Sequence, residues 1–209
     1  MTSKTSATIV ADRRVLILDQ AERLFADHGY QGAALSEIAR AAGLGNAGLI
    51  HHFPSKAAIY RAVLERIASD LEERVSRALA GKRDAAARLR AFVDAGVDWN
   101  TERPLGVRVL LREVLDNPER LETIHALPLV RFIETGLSII KDAQAAGLVA
   151  PGPPEVALNL MIGTLTYAAV VRPSFQRVIG TRLLGNERAW IEAAGEAALK
   201  ALAKPAKSK

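Results

Sequence analysis

The chain contains no cysteine. Disulfides, thiolate metal centres and cysteine nucleophiles are therefore excluded, and a reducing interior is compatible with the composition. No uninterrupted apolar run approaches the ~20 residues of a membrane span, and the polar opening MTSKTSAT lacks the apolar region of a signal peptide. No membrane partner and a cytoplasmic location are the expectations. Sustained period-two alternation, the mark of half-buried strands, is missing, as is any repeat of about 20 to 50 residues. Also absent are a glycine-rich phosphate loop, an HExxH pair and a GxSxG elbow. With no convergent nucleophile, acid–base pair or metal cluster, the sequence argues against an enzyme and offers no catalytic residue, metal site or cofactor to assign.

What remains is globular: 209 residues, 49% hydrophobic and 24% charged, enough for one large domain or a small one plus a larger one. The pI near 9.7 rests on an uneven distribution. Lys200, Lys204, Lys207 and Lys209 stand in a tail without acidic residues and account for four of the formal net charge of +5. Bulk basicity therefore says little about a nucleic-acid partner, and such a partner has to be argued from a motif and a few local cations.

Helical periodicity runs through almost the whole chain. Residues 1–11 lack it and read as a flexible arm. A helix is expected from residue 12 to 28, with Val15, Leu18, Leu24 and Phe25 as its apolar face and Gly29 as its end. Ser55 can cap a long helix from residue 56 to 79, whose seam is Ile59, Tyr60, Val63, Leu64, Ile67, Leu71 and Val75. Leu89, Phe92, Val93, Gly96 and Val97 mark the next helix, and VRVLLREVLDN a short one closed by Asn117-Pro118. A longer helix is expected from 119 to 146, kinked at Pro128, followed by a hard stop at PGPP and two last helices over about 155–171 and 186–203. The predicted class is all-α, with about nine helices arranged as a small unit over 12–54, a larger bundle over 55–203 and a basic tail over 204–209.

The stretch LSEIARAAGLGNAGLIHHFPSK, residues 35–56, holds the clearest local signal. Leu35, Ile38, Ala39 and Ala42 repeat at helical spacing, Gly43 can take the left-handed conformation that ends a helix, and a second run reaches Phe53 before Pro54. Ala39, Gly43 and Leu49 fall where a helix-turn-helix needs a small contact, a positive-φ turn and an apolar anchor. An ordinary helical hairpin in a core would share these features. In a helix-turn-helix the amides near Gly45 and Asn46 could meet a phosphate, and Asn46 could bond a base edge or serve only as a turn residue. His51 and His52 project about 100° apart, so one is expected to face a base while the other flanks the phosphates, and divergent neighbours with no other ligand nearby argue against a metal site.

The longer string FADHGYQGAALSEIARAAGLGNAGLIHHFPSKAAIYRAVL resembles the N-terminal domain of the TetR family of bacterial transcriptional regulators. The resemblance lies in the phenylalanine and Gly-Tyr before the motif, in Ile38-Ala39 and Ala42-Gly43, in Phe53-Pro54-Ser55-Lys56 and in the seam that follows. It covers about residues 13–64. It implies a homodimer, joined through the last two helices, whose second motif helices enter successive major grooves of a palindromic operator. The implied DNA-binding residues are Asn46, Ala47, Ile50, His51, His52 and Lys56, with Lys56 matching the family's phosphate-contacting lysine. A small, mainly apolar effector is implied for the bundle, where Trp99, Arg112, His125, Thr164 and Tyr167 are the candidate ligand residues among polar groups set in apolar periodicity.

Several positions depart from the family pattern. Ala33 and Ala34 replace the hydroxyl residue that commonly opens the first motif helix, Gly45 replaces a capping serine, Gly48 stands inside the second helix, and Ile50 stands where a tyrosine is usual. The second helix is therefore expected to be loose and to order fully on DNA. A repressor released by its effector is the expected function, and a sensor of the same fold with weakened or altered DNA binding is the alternative.

Overall fold

The computed structural model describes residues 2–116, 129–182 and 184–204, with side chains from residue 12 onward. Among these residues there are nine helices: α1 (Thr2–Gly32), α2 (Leu35–Ala41), α3 (Asn46–His52), α4 (Lys56–Leu79), α5 (Ala85–Glu102), α6 (Pro104–Asp116), α7 (Val130–Ala145), α8 (Pro154–Val178) and α9 (Glu187–Leu202). The only β pairing among them is an isolated bridge between Val149 and Ala203. The chain divides into two compact units, the first made of Met1–Ile67 with Arg108–Pro128, the second of Ala68–Val107 with Leu129–Lys209.

In the first unit α1 begins ten residues earlier than the periodicity suggests. No glycine or proline occurs before Gly29, Ala carries no helix cost, and Ser and Thr cost at most about 0.7 kcal/mol each, so nothing stops it upstream. Gly29 does interrupt it, at φ 69° and ψ 178°. The buried face of α1 is Ile17, Ala21 and Phe25; Val15, expected there, is exposed. It lies two residues from Ile17, about 200° around the helix, so both cannot share the core side. Phe25 packs edge-on against Tyr60 at 4.8 Å, and Tyr60 meets Tyr30 at 5.0 Å. Arg66 ties α4 to α1 through Asp19 at 2.6 Å and the buried Glu22 at 2.5 Å.

The later part of α6 is fastened to the end of α1. Arg108 pairs with Asp27 at 2.8 Å, while Arg112 donates to the carbonyls of Ala26 and Asp27 at 3.0 and 2.9 Å. Those carbonyls lie at a helix end interrupted by Gly29, where acceptors lack intrahelical partners and a cation is favoured. Nearby the Tyr60 hydroxyl donates to the buried Glu113 carboxylate at 2.7 Å. The expected breaks at Asn117-Pro118 and Pro128 lie outside the described residues, and the helix expected from 119 begins, as described, at Val130.

The second unit is built around α5, which packs against α7, α8 and α9; α8 also packs on α7 and α9. Asp84 caps α5 by accepting from the Ala87 amide at 2.9 Å, and Asn186 caps α9 through the Ala189 amide at 3.1 Å. Packing is close where α7 meets α8: a Cβ at Gly136 would lie 2.7 Å from Leu158, so only glycine fits without movement. Asp70 gathers the α4–α5 contact, accepting from Trp99 Nε1 at 3.0 Å beside Arg74, which reaches Glu102 at 2.6 Å. That hydrogen bond to Glu102, opposed by partial burial, holds the Arg74 guanidinium above its ordinary pKa.

α8 corrects one expectation: it runs past residue 171, through Pro173, to Val178. Leu158, Met161, Leu165 and Ala168 face the core, whereas Val156, Leu160, Tyr167, Val170 and Val178 form an exposed stripe. The 25-residue helix contains an 18-residue stretch that, at mean hydropathy 1.3, is long and apolar enough to cross a membrane by length and composition alone. Its packing on α5, α7 and α9 favours a core helix instead.

Candidate nucleic-acid interface

The turn between α2 and α3 is closed by backbone geometry alone. The Gly43 amide donates to Arg40 O at 3.0 Å and the Leu44 amide to Ala39 O at 2.9 Å, with Gly43 at φ 68°. This is a Schellman ending, and it needs a residue free of Cβ strain at Gly43. At the other end of α2 the missing hydroxyl cap is partly replaced: Glu37 reaches back to accept from the Ala34 amide at 3.4 Å. Ile38, Ala39 and Leu49 are fully buried or nearly so, and they fix the two helices against each other.

α3 starts at an extended Gly45 that supplies no side-chain cap. Leu49 points inward, leaving Asn46, Ala47, Ile50 and His51 exposed. Positions 46, 47, 50 and 51 fall within about 140° of arc at 100° per residue, so these four share one face. His52 lies off that face and is half-buried, its ring edge-on to His51 at 5.6 Å. Of the histidine pair, His51 is the one on the open face.

Lys56, for which the resemblance implies a phosphate contact, is the first residue of α4. Its ammonium donates to the carbonyls of Ala33 at 3.0 Å and Gln31 at 3.4 Å and stands 4.7 Å from the centre of the Tyr30 ring. It braces the link after α1 and is half-buried. Ser55, as expected, caps α4 by accepting from the Ala58 amide at 3.1 Å. Sequence reasoning gave no role to Arg14. Its Nη1 donates to His52 O at 2.5 Å, and its guanidinium lies 4.1 Å from the centre of the Phe53 ring. Arg13 and Arg40 are exposed and have no partner among the described residues, which leaves both charges available to an anion.

Four of the five candidate effector residues lie among the described residues. Trp99 is buried and its indole N–H is satisfied by Asp70. Arg112 is engaged with α1 carbonyls in the first unit, and Thr164 bonds its own helix at Leu160 O, 2.7 Å away. Tyr167 is 66% exposed on the α8 stripe, and His125 lies outside the described residues. Within the second unit an open groove of about 620 Å³ lies between α4 and α7, floored by Val75, Leu79 and Phe132 and rimmed by Glu72, Glu73 and Arg131. None of the candidates described in this unit, Trp99, Thr164 and Tyr167, lines it.

Residues 17–63 match the family model described as bacterial regulatory proteins, tetR family. The chain is 38% identical over 99 residues to the transcriptional activator FasR of Mycolicibacterium smegmatis, an alignment covering 47% of this chain and 45% of FasR. It is 26% identical over 184 residues to the transcriptional regulator RutR of Escherichia coli, covering 87% of this chain and 85% of RutR. Its fold superposes on AibR, solved in complex with isovaleryl coenzyme A and operator DNA, with a TM-score of 0.67 at 23% identity over 92% of this chain and 99% of AibR.

Proposed function

We propose, for a chain that belongs to the TetR family of bacterial transcriptional regulators, that it is a dimeric repressor acting in the cytoplasm on a palindromic operator and released by a small effector. The observation that carries the proposal is the exposed α3 face of Asn46, Ala47, Ile50 and His51, held on a glycine-closed turn over the Leu49 anchor. A face of that kind presents side chains to base edges, while exposed Arg13 and Arg40 supply cations for phosphates.

Dimerisation is proposed through α8 and α9. The exposed stripe of Val156, Leu160, Tyr167 and Val170 is a contiguous apolar surface on a helix that already packs on α9. A C2 interface would cover it and place two α3 helices on one side of a duplex. The effector is proposed to bind within the second unit. An acyl thioester is the first class to test, because AibR, which shares the fold, binds isovaleryl coenzyme A.

The alternative, a sensor with weakened DNA binding, is favoured by one observation: the Lys56 ammonium is held by its own chain's carbonyls. Fluorescence anisotropy with DNA from upstream of the gene separates the two. An operator should outcompete random DNA severalfold and lose affinity steeply between about 50 and 200 mM salt. Equal affinity for both DNAs would favour the sensor and overturn the repressor.

A further inference from the structure

We propose that Arg14 is a positioning residue for the DNA-reading helix, clamping the C-terminal end of α3 through the His52 carbonyl and the Phe53 ring. The proposal rests on the DNA-binding reading given above. α3 has seven residues, no side-chain cap at Gly45 and a glycine at its centre, so little in its own sequence keeps it helical. Leu49 anchors it from below. A single apolar anchor resists lifting better than it resists rotation or fraying.

The Arg14 guanidinium supplies the second point of attachment. The carbonyl of His52 is among the last four of α3, which have no partner inside the helix, and it accepts from Nη1 at 2.5 Å. A positive charge at that end also complements the helix dipole. The same planar group lies over the Phe53 ring at 4.1 Å, so its face stacks while its edge donates, a combination open to arginine and not to lysine. Phe53 is the C-cap of α3, and Arg14 therefore grips the terminal residue of the helix and the residue after it. Lys56 holds a different joint, between the end of α1 and the start of α4. Arg14 is thus the cation whose hydrogen bond, among the described residues, reaches α3 from another helix. It sets the angle at which the 46, 47, 50 and 51 face meets a duplex without itself reading a base.

The test uses the full chain and three variants: R14A, R14K and, as a control that removes an adjacent charge with no partner among the described residues, R13A. Amide exchange without DNA is followed for residues 49–53, and operator affinity is measured across a salt series. R14A should speed exchange at the end of α3 about tenfold and weaken operator binding by a similar factor, the yield of one charge-assisted hydrogen bond at an exposed site. R14K should fall between R14A and the parent, because it can keep the carbonyl bond but not the stacked plane. R13A should leave exchange as it is. A positioning residue leaves the slope of log affinity against log salt unchanged, whereas removing a cation that sits on a phosphate lowers it by about 0.9 per protomer, about 1.8 for a two-fold complex. Unchanged exchange in R14A, or a reduced slope, overturns the proposal. If R14A loses helical circular dichroism as a whole, exchange in R14K decides, and parental exchange there also overturns it. A parent protein that shows no operator preference refutes the DNA-binding reading separately, because the exchange measurement needs no DNA.

Discussion

Gly48→Ala isolates the looseness of the DNA-reading helix. A Cβ built at Gly48 would sit 3.6 Å from Leu44 Cδ2 and 3.8 Å from Leu44 Cβ, ordinary van der Waals contact with a side chain able to shift. The substitution therefore adds no clash, and its main effect is the helix propensity of alanine over glycine, about 1 kcal/mol. That is a factor of about five in the opening equilibrium of α3 at 25 °C, since about 1.4 kcal/mol is a factor of ten. Amide exchange over residues 49–53 should slow about fivefold in the free protein. Operator binding gives a second, separable reading. If α3 orders only on DNA, the same energy, about 1 kcal/mol, appears in affinity, once for each protomer; if α3 is already ordered in the free chain, exchange slows and affinity stays put. Exchange within about twofold of the parent in the G48A variant would refute the argument that glycine at this position limits the helix.

Other contacts give their own expected outcomes. Tyr60→Phe removes a donor at 2.7 Å from the buried Glu113 carboxylate and should cost about 1–3 kcal/mol, read as a lower urea midpoint. Gly29→Ala should destabilise more than Gly43→Ala in the same assay. Both add a Cβ at positive φ, but Gly29, at φ 69° and ψ 178°, is in a region essentially closed to other residues and costing about 1–3 kcal/mol, and the new atom would also lie 3.0 Å from Asp116 Oδ2, whereas Gly43 has open space. Leu160→Glu on the α8 stripe should halve the mass seen by light scattering at micromolar concentration while leaving circular dichroism unchanged; a persistent dimer would move the interface elsewhere.

The sequence was most legible where one residue type answers one local demand. Gly43 ends α2, Ser55 caps α4, and the seam from Ile59 to Val75 is buried throughout, each as the pattern predicts. Legibility fell where long polar side chains choose among distant partners. Arg112 in an apolar run reads as a ligand group, yet it bonds carbonyls 85 and 86 residues away. Arg14 and Lys56 both serve helix ends, contacts that carry no signature in spacing because the acceptor is backbone. On α1 the pattern placed Val15 on the apolar face, whereas the structure buries Ile17 and leaves Val15 exposed. On α8 nearly uniform hydrophobicity hid which side is open, since a stripe cannot be seen when both faces are apolar.

Lys56 also bears on how such a regulator would behave when a cell's ionic strength changes. A lysine that lies on phosphate displaces one condensed counterion, and each such displacement adds about 0.9 to the steepness with which affinity falls as salt rises. If the Lys56 ammonium keeps its bonds to the carbonyls of residues 31 and 33 on DNA, a two-fold complex would forgo two of these displacements. Over a roughly fourfold rise in salt that is worth about a factor of ten in retained affinity. A cation used as a brace would make promoter occupancy less sensitive to osmotic shock, so that the effector, more than the water balance of the cell, decides when the gene is read.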